Sequence, residues 1–348
     1  MRTINAAIIG AGVIGEGHIA GLQSTEGVEV RAIADPNATL RTKQAAKFNV
    51  PVQVDDYHEL LNDDGIDVGY VCVPHVLHFP IAMDFLKAGK HVVCEKPFAM
   101  NAEEARQMID ASVAAGRKLF IAENHRFFPL NIKVRALLDK GTIGRPFLAT
   151  AAFIGNELER MNAPGNWKGT KEKSGGGVII DNGFHVFDTL VSFFGWADRV
   201  QACGDRLLVE AVNKAEDTAS INVVFASGAV ANVVLTFAAQ HCGFPTGYMG
   251  AGLRYDLYGS EGALHLVNEM QGPALIVTSS GCSQTLTSKQ IEASLPGDVP
   301  VQMNQHFIEC IRNDTEPIVT LEQELHIVRI VDACYRSMAS GQTEAVGS

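Results

Sequence analysis

Short, almost wholly apolar runs alternate with amphipathic stretches through the first third of the chain. The runs are "AAIIGAG" (6–12), "VEVRAIAD" (28–35), "VGYVCVP" (68–74), "KHVVCEKP" (90–97) and "KLFIAEN" (118–124). Between them, for example at 37–48 and 101–116, apolar residues recur at helical spacing. A strand apolar on both faces must be covered on both, so the pattern predicts parallel strands with helices above and below. From "GTIGRP" (141–146) onward the pattern changes. Longer segments such as 219–240 and 254–267 alternate around Gly-containing turns, which predicts antiparallel strands in a second sheet. Helical periodicity returns at 183–194, 301–313 and 321–340.

Composition narrows the class. With 348 residues and 47% hydrophobic content the chain can bury two sizeable cores, so two domains are expected, over 1–124 and 125–348. The first is predicted as an α/β domain on a mostly parallel sheet. The second is predicted as an α+β domain on a mostly antiparallel sheet. Lys and Arg number 28 against 39 Asp and Glu, a formal charge of −11, and the basic clusters are short. That balance argues against nucleic acid and against an anionic membrane surface as partners. No apolar run reaches the roughly 18 to 20 residues of a membrane span. The first strand lies too close to Met1 to leave room for a signal peptide. Seven scattered cysteines without a Cys-x-x-Cys pair suit a reducing, cytoplasmic setting better than disulfides or structural zinc. No metal site is expected.

Chemistry enters at the first strand-to-helix turn. It reads Gly10-Ala11-Gly12-Val13-Ile14-Gly15, the G-x-G-x-x-G of a dinucleotide-binding loop. Gly10 permits the tight turn, Gly12 lets the backbone approach a pyrophosphate, and Gly15 lets the helix pack on the strand. The helix N-terminus, entered through Val13 and Ile14, offers N–H groups and partial positive charge to the anion. Asp35 follows Gly15 by twenty residues, at the end of the second strand. Its carboxylate is placed to accept hydrogen bonds from a ribose diol and to repel a 2′-phosphate, which predicts NAD rather than NADP. Arg41, able to neutralise such a phosphate, works against that preference.

Two further constellations stand out. The run His91 to Cys94 stops on Glu95, Lys96 and Pro97, a charged turn at the carboxyl end of a strand, where open parallel sheets bind ligands. Alone, it also reads as an ordinary solvated loop. In "SGGGVIIDNGFHVFDTL" (174–190), Asp181 and His185 are four apart and share a face on a helix. A carboxylate that orients an imidazole is a recurrent general-base arrangement. Asp181 as a helix N-cap and His185 as a core histidine are the structural alternatives.

These segments together resemble the Gfo/Idh/MocA family, named for glucose-fructose oxidoreductase and inositol dehydrogenase. The resemblance runs through "GAGVIGEGH" (10–18), "VPHVLH" (73–78), "CEKP" (94–97), "NHRFFP" (124–129), "GTIGRP" (141–146), Trp167 and "GGGVIIDNGFH" (175–185). It implies an N-terminal Rossmann domain, then a domain on a large open β-sheet, with C-terminal helices packing back toward the first. It implies a substrate between the two, over the nicotinamide. By motif position Lys96 becomes the catalytic lysine, with Asp181 and His185 its partners. Pro74, His78, Glu95, Lys96 and Pro97 fall on the cofactor side, with a cis Lys96–Pro97 bond. Asn124, Arg126 and Trp167 join Lys96, Asp181 and His185 on the substrate side. Where many relatives have Thr-Pro-Asn this chain has Val73-Pro74-His75, so no contact is carried over to His75.

The expected activity is NAD-dependent oxidation of a secondary hydroxyl of a sugar, glycoside or cyclic polyol. The rivals are a redox-neutral glycosidase working by transient C3 oxidation and a non-catalytic NAD-binding regulator. Expected partners are a small sugar or polyol and further copies of the chain. A homodimer or homotetramer follows because the second sheet has too few helices to cover both faces. The stretch 240–252 reads as a loop over the sugar or a subunit contact, and Cys242 beside His241 carries no expected role.

Overall fold

The computed structural model describes residues 2–208, 215–239, 252–267, 273–279, 282–294 and 298–347. Its contacts divide the chain into two units, Met1–Phe127 with Gly297–Leu325, and Phe128–Pro296 with His326–Ser348. Among the described residues no helix is long and apolar enough to cross a membrane. Of the stretch 240–252, residues 240–251, with His241 and Cys242, lie outside the described residues.

The first unit is built on six parallel strands: β1 (Ile4–Ile9), β2 (Val28–Ala34), β3 (Val52–Val54), β4 (Val68–Val71), β5 (His91–Cys94) and β6 (Leu119–Ile121), in the order β3-β2-β1-β4-β5-β6. The order reverses beside β1, between β1 and β4, which is where such sheets take their ligands. Five strands match the apolar runs of the sequence. β3 does not, since three residues are too few to show a period. The helices match closely: Ala38–Phe48 starts on an Asn37 cap, and Ala102–Ala115 starts on an Asn101 cap and stops at Gly116. Residues 297–325 belong here because the helix Val299–Asn313 stacks Phe307 on Phe120 at 4.8 Å, while Arg312 donates to the Gly27 carbonyl oxygen at 2.7 Å. Phe120 and Phe307 are wholly buried, so truncating either costs about 3–5 kcal/mol.

The second unit holds a nine-stranded sheet: β7 (Pro146–Ile154), β8 (Ala197–Asp205), β9 (Thr218–Phe225), β10 (Val230–Thr236), β11 (Leu253–Gly259), β12 (Gly262–Val267), β13 (Pro273–Ser279), β14 (Cys282–Thr287) and β15 (Glu344–Ala345). The order is β14-β13-β12-β11-β7-β10-β9-β8-β15. Every neighbouring pair is antiparallel except β7 with β10. Alternation does its work here: Ala219, Ile221, Val223 and Phe225 of β9, with Ala231, Val233 and Leu235 of β10, are buried. The helix Val178–Phe194 packs against this sheet, stacking Phe194 on Phe225 at 5.2 Å and setting Phe193 edge-on to Tyr255 at 6.5 Å. Leu148, Val230 and Val234 stay exposed.

Candidate active site

β1 ends at Ile9 and the chain turns at Gly10 with φ of 100°, a left-handed conformation that favours glycine. A Cβ there would stand 2.2 Å from the Cys72 carbonyl oxygen, and one at Gly15 would stand 2.0 Å from that of Gly10. Neither position has room for a side chain. At Gly12 the reverse holds, since a Cβ would meet nothing within 4 Å. No side chain caps the helix Val13–Gln23, whose first residue is 77% exposed and whose second, Ile14, is half-buried. Its N-terminus is open to an anion. Asp35, just past β2, accepts the N–H of Ala11 on one carboxylate oxygen and that of Asn37 on the other, both at 2.8 Å. It therefore ties the glycine turn down as well as presenting charge. Arg41 donates to the Asp35 carbonyl oxygen.

β5 delivers Glu95 and Lys96, both half-buried, and the Lys96–Pro97 bond is cis. Glu95 Oε1 lies 2.8 Å from Nε2 of His18, a buried residue of the Val13–Gln23 helix, and Glu95 Oε2 accepts the Lys96 N–H at 3.3 Å. Burial alone would raise the Glu95 carboxyl. The hydrogen bond and charge of His18, with the charges of Lys96 and His78, outweigh it and hold the group below the ordinary carboxylate range. An ionised carboxylate thus stands beside Lys96. Pro74, half-buried, opens the short turn His75–Leu77. His78 is wholly buried, with Nδ1 2.8 Å from the Pro97 carbonyl oxygen and Nε2 2.8 Å from that of Val73. Burial lowers its pKa, while those carbonyls and Glu95 pull the other way. Both ring nitrogens face backbone carbonyl oxygens, so His78 bridges the turn after β4 and the turn after β5. Past β6, Glu123 is wholly buried and accepts the His125 N–H at 2.9 Å. Burial raises its carboxyl, against the pull of His125, Lys96 and Arg126. Asn124 and Arg126 are half-buried in the same turn, and Asn124 Oδ1 has no partner among the described residues.

In the second unit the helix begins at Val178, five residues before its apolar period becomes legible, and its N-cap is Gly177. Asp181 is therefore in the first turn and is not the cap. Its Oδ2 meets Lys168 Nζ at 2.6 Å, and His185 follows one turn on, half-buried. Trp167, half-buried, begins the short turn Trp167–Gly169, with the Lys168 ammonium 5.7 Å from its ring centre. The missing cap is supplied from afar. Glu216 accepts the Gly177 N–H on both oxygens at 3.1 Å, the Ile179 N–H at 3.0 Å and the Tyr335 hydroxyl at 3.0 Å. Burial raises its carboxyl against those donors. A Cβ at Gly176 would lie 1.8 Å from the Tyr335 hydroxyl oxygen, and one at Gly177 would lie 1.8 Å from the Glu216 carbonyl oxygen. The glycine run is what admits both groups.

Residues 4–123 match the model of an oxidoreductase family with an NAD-binding Rossmann fold, and residues 135–346 match that family's C-terminal α/β domain. The chain belongs to the Gfo/Idh/MocA oxidoreductase family. Its relatives include D-apiose dehydrogenase of Paraburkholderia graminis, 25% identical over 99% of this chain and 90% of the relative. Another is 1,5-anhydro-D-fructose reductase of Ensifer adhaerens, 28% identical over 97% of each. Levoglucosan dehydrogenase, solved in complex with NADH, shares the fold over 100% of both chains with a TM-score of 0.90 at 22% identity. As a Gfo/Idh/MocA member the chain is an NAD-dependent oxidoreductase acting on CH–OH groups, and its first unit carries the NAD-binding domain.

The residues present fit that cofactor: an open helix N-terminus for the pyrophosphate and a fixed carboxylate, Asp35, after β2. Sequence reasoning missed His18, Glu123, Lys168, Glu216 and Tyr335. His18 stood inside "GAGVIGEGH" and Glu123 interrupted the fifth apolar run, so both had a local signal in an acid or imidazole breaking an apolar pattern. Glu216 reaches the helix from 37 to 39 residues away, and Tyr335 meets Glu216 from 119 residues further on, so neither had one.

Proposed function

We propose that the protein oxidises a secondary hydroxyl of a sugar, glycoside or cyclic polyol, with NAD as the acceptor. The observation that carries this reading is Lys96, held at the end of β5 beside an ionised Glu95, on the sheet that bears the open glycine turn. The names of the full-length relatives, a D-apiose dehydrogenase and a 1,5-anhydro-D-fructose reductase, point to the same substrate class. Bound NAD would take the hydride on its nicotinamide ring. Lys96, as an ammonium, holds the hydroxyl oxygen and stabilises negative charge developing there. His185 takes the hydroxyl proton, and Asp181 fixes the orientation of that imidazole. Asn124 and Arg126 donate to the remaining hydroxyls, and the Trp167 face covers the C–H side of the ring.

A panel of inositols, hexoses and glycosides, each with NAD and with NADP, tests the reading by nicotinamide absorbance. Steady reduction of NAD by at least one polyol is expected. Glycoside cleavage without net reduction would instead select the redox-neutral glycosidase, and NAD binding with no turnover on any compound would select the regulator. The reading also takes the protein as a homodimer or a tetramer of dimers. The exposed Leu148, Val230 and Val234 of β7 and β10 belong to the face proposed to meet a second copy. A monomer by light scattering at micromolar concentration refutes that part.

A further inference from the structure

Lys168 lies one residue past the last motif position before the glycine run, and no sequence pattern gives it a task. Its ammonium nevertheless stands 2.6 Å from Asp181 Oδ2, at the distance of a charge-assisted hydrogen bond. The partners come from different elements, the turn Trp167–Gly169 and the first turn of the helix Val178–Phe194. The turn itself is pinned. The Asn166 side chain accepts the Lys168 N–H at 3.2 Å, and the Thr170 hydroxyl donates to the Trp167 carbonyl oxygen at 3.0 Å. Asp181 is the buried member, its side chain 7% exposed against 23% for Lys168. Removing the lysine strips a buried carboxylate of this countercharge, whereas removing the carboxylate leaves an ammonium that reaches water. The two losses are not equivalent.

Resting on the oxidoreductase reading above, we infer that Lys168 is a positioning residue for the hydride transfer. It holds the Asp181 carboxylate in the orientation that the His185 face of the helix requires. Because the same ammonium lies near the Trp167 ring, it fixes the aromatic turn and the carboxylate together. The lysine touches neither the hydride nor the proton. It sets where Asp181 stands.

The test is a double-mutant cycle on the full chain, assayed with the substrate the panel identifies: Lys168→Met, Asp181→Asn, both together, and Lys168→Arg. Lys168→Met is expected to lower kcat roughly 10- to 100-fold, the scale of a misplaced catalytic group. KM for NAD should stay within about twofold, since uniform cofactor binding is untouched. Lys168→Arg, which keeps the charge, should retain most of the wild-type rate. The double variant should be no slower than Asp181→Asn alone, because both substitutions break one contact. Should Lys168→Met fail to fold, Lys168→Gln takes its place in the cycle. Losses that multiply in the double variant overturn the inference. So does a lowered melting temperature with unchanged kcat, which would make the ion pair structural only. Absence of turnover by wild type on the whole panel defeats the oxidoreductase reading, and this inference with it.

Discussion

In the first unit the candidate groups sit at the carboxyl ends of parallel strands: Gly10 after β1, Asp35 after β2, Pro74 after β4, Lys96 after β5 and Asn124 after β6. In the second, Asp181 and His185 ride on one helix, whose N-terminus is held by Glu216 and Tyr335 and whose first turn is held by Lys168. A parallel sheet brings every strand end to one edge whatever the side chains, so each group there needs only its own short turn. A helix laid on a sheet has no such guide. Its rotation and its starting residue must be fixed by side chains from other elements, and here a carboxylate 39 or fewer residues away takes the place of a local cap.

The comparison breaks most visibly if one unit proves dispensable. His185→Asn is expected to lower kcat by roughly 10² to 10⁴, and Lys96→Met by roughly 10² or more, as for loss of a proton-transfer or charge-stabilising group. NAD affinity, measured by calorimetry, should survive both, because the glycine turn and Asp35 are untouched. Near-normal kcat in either variant would reduce its unit to scaffolding.

Next in size is the support of the helix. Glu216→Ala leaves the Gly177 and Ile179 N–H groups and the Tyr335 hydroxyl without their buried acceptor. At about 1–3 kcal/mol for each unsatisfied group, a loss of roughly 3 kcal/mol or more is expected in urea unfolding. Glu216→Gln keeps a carbonyl oxygen and should lose less. A change within about 0.5 kcal/mol, the range of an ordinary surface substitution, would show that the helix holds its own N-terminus.

How much of this the sequence disclosed follows the same divide. The strand-end groups could be named because motif and structure are contiguous: Gly10 to Gly15 is one turn, and Glu95 to Pro97 is another. The spacing of four placed Asp181 and His185 on one helix, but it gave no sign of their surroundings. Gly175 to Gly177 announced a close approach without saying by what. The helix start was placed late, at 183, because Val178, Ile179 and Ile180 are apolar on every side and show no period. His78 is the opposite case. Its motif position is plain, but only three-dimensional packing shows both ring nitrogens facing carbonyl oxygens.

The two units are expected to behave alike in acid, which sharpens the contrast elsewhere. Each contains a histidine whose ring nitrogen accepts a backbone N–H at 2.9 Å, from Lys118 to His91 and from Ala197 to His326. Burial first, then Arg117 and Lys118, pushes His91 down to about 4, and burial first, then Arg329, pushes His326 down to about 4. With folded values below the ordinary 6.5, the unfolded chain binds these protons first. Their stability contribution is complete above that value and is lost as pH falls toward about 4. The full shift corresponds to roughly 3 kcal/mol, and solvent screening reduces the expected change to about 1–2 kcal/mol per histidine. Urea midpoints against pH should show the slope, and His91→Gln, whose amide oxygen still accepts, should flatten its share. A slope unchanged by that substitution would mean that His91 is charged in the folded chain.

The smallest effect expected is on cofactor choice, and it asks whether a strand-end group does one job or two. Asp35 is proposed to repel a 2′-phosphate, and its two oxygens also hold the N–H groups of Ala11 and Asn37. One charge at close range in water is worth about 1 kcal/mol, somewhat more where solvent is partly excluded, so removing it should narrow the NAD preference roughly tenfold. Asp35→Asn removes the charge and keeps an oxygen that can accept from Ala11. Asp35→Ser removes both. The ratio of kcat/KM for NAD to that for NADP should therefore fall to a similar extent in the two variants, while KM for NAD rises further in Asp35→Ser as the glycine turn loosens. If Asp35→Asn keeps the full NAD preference, discrimination does not come from charge, and Arg41, bonded to the Asp35 carbonyl oxygen, becomes the residue to examine. If KM for NAD is the same in both variants, the bond to Ala11 is not what holds the turn, and Asp35 acts on the cofactor alone.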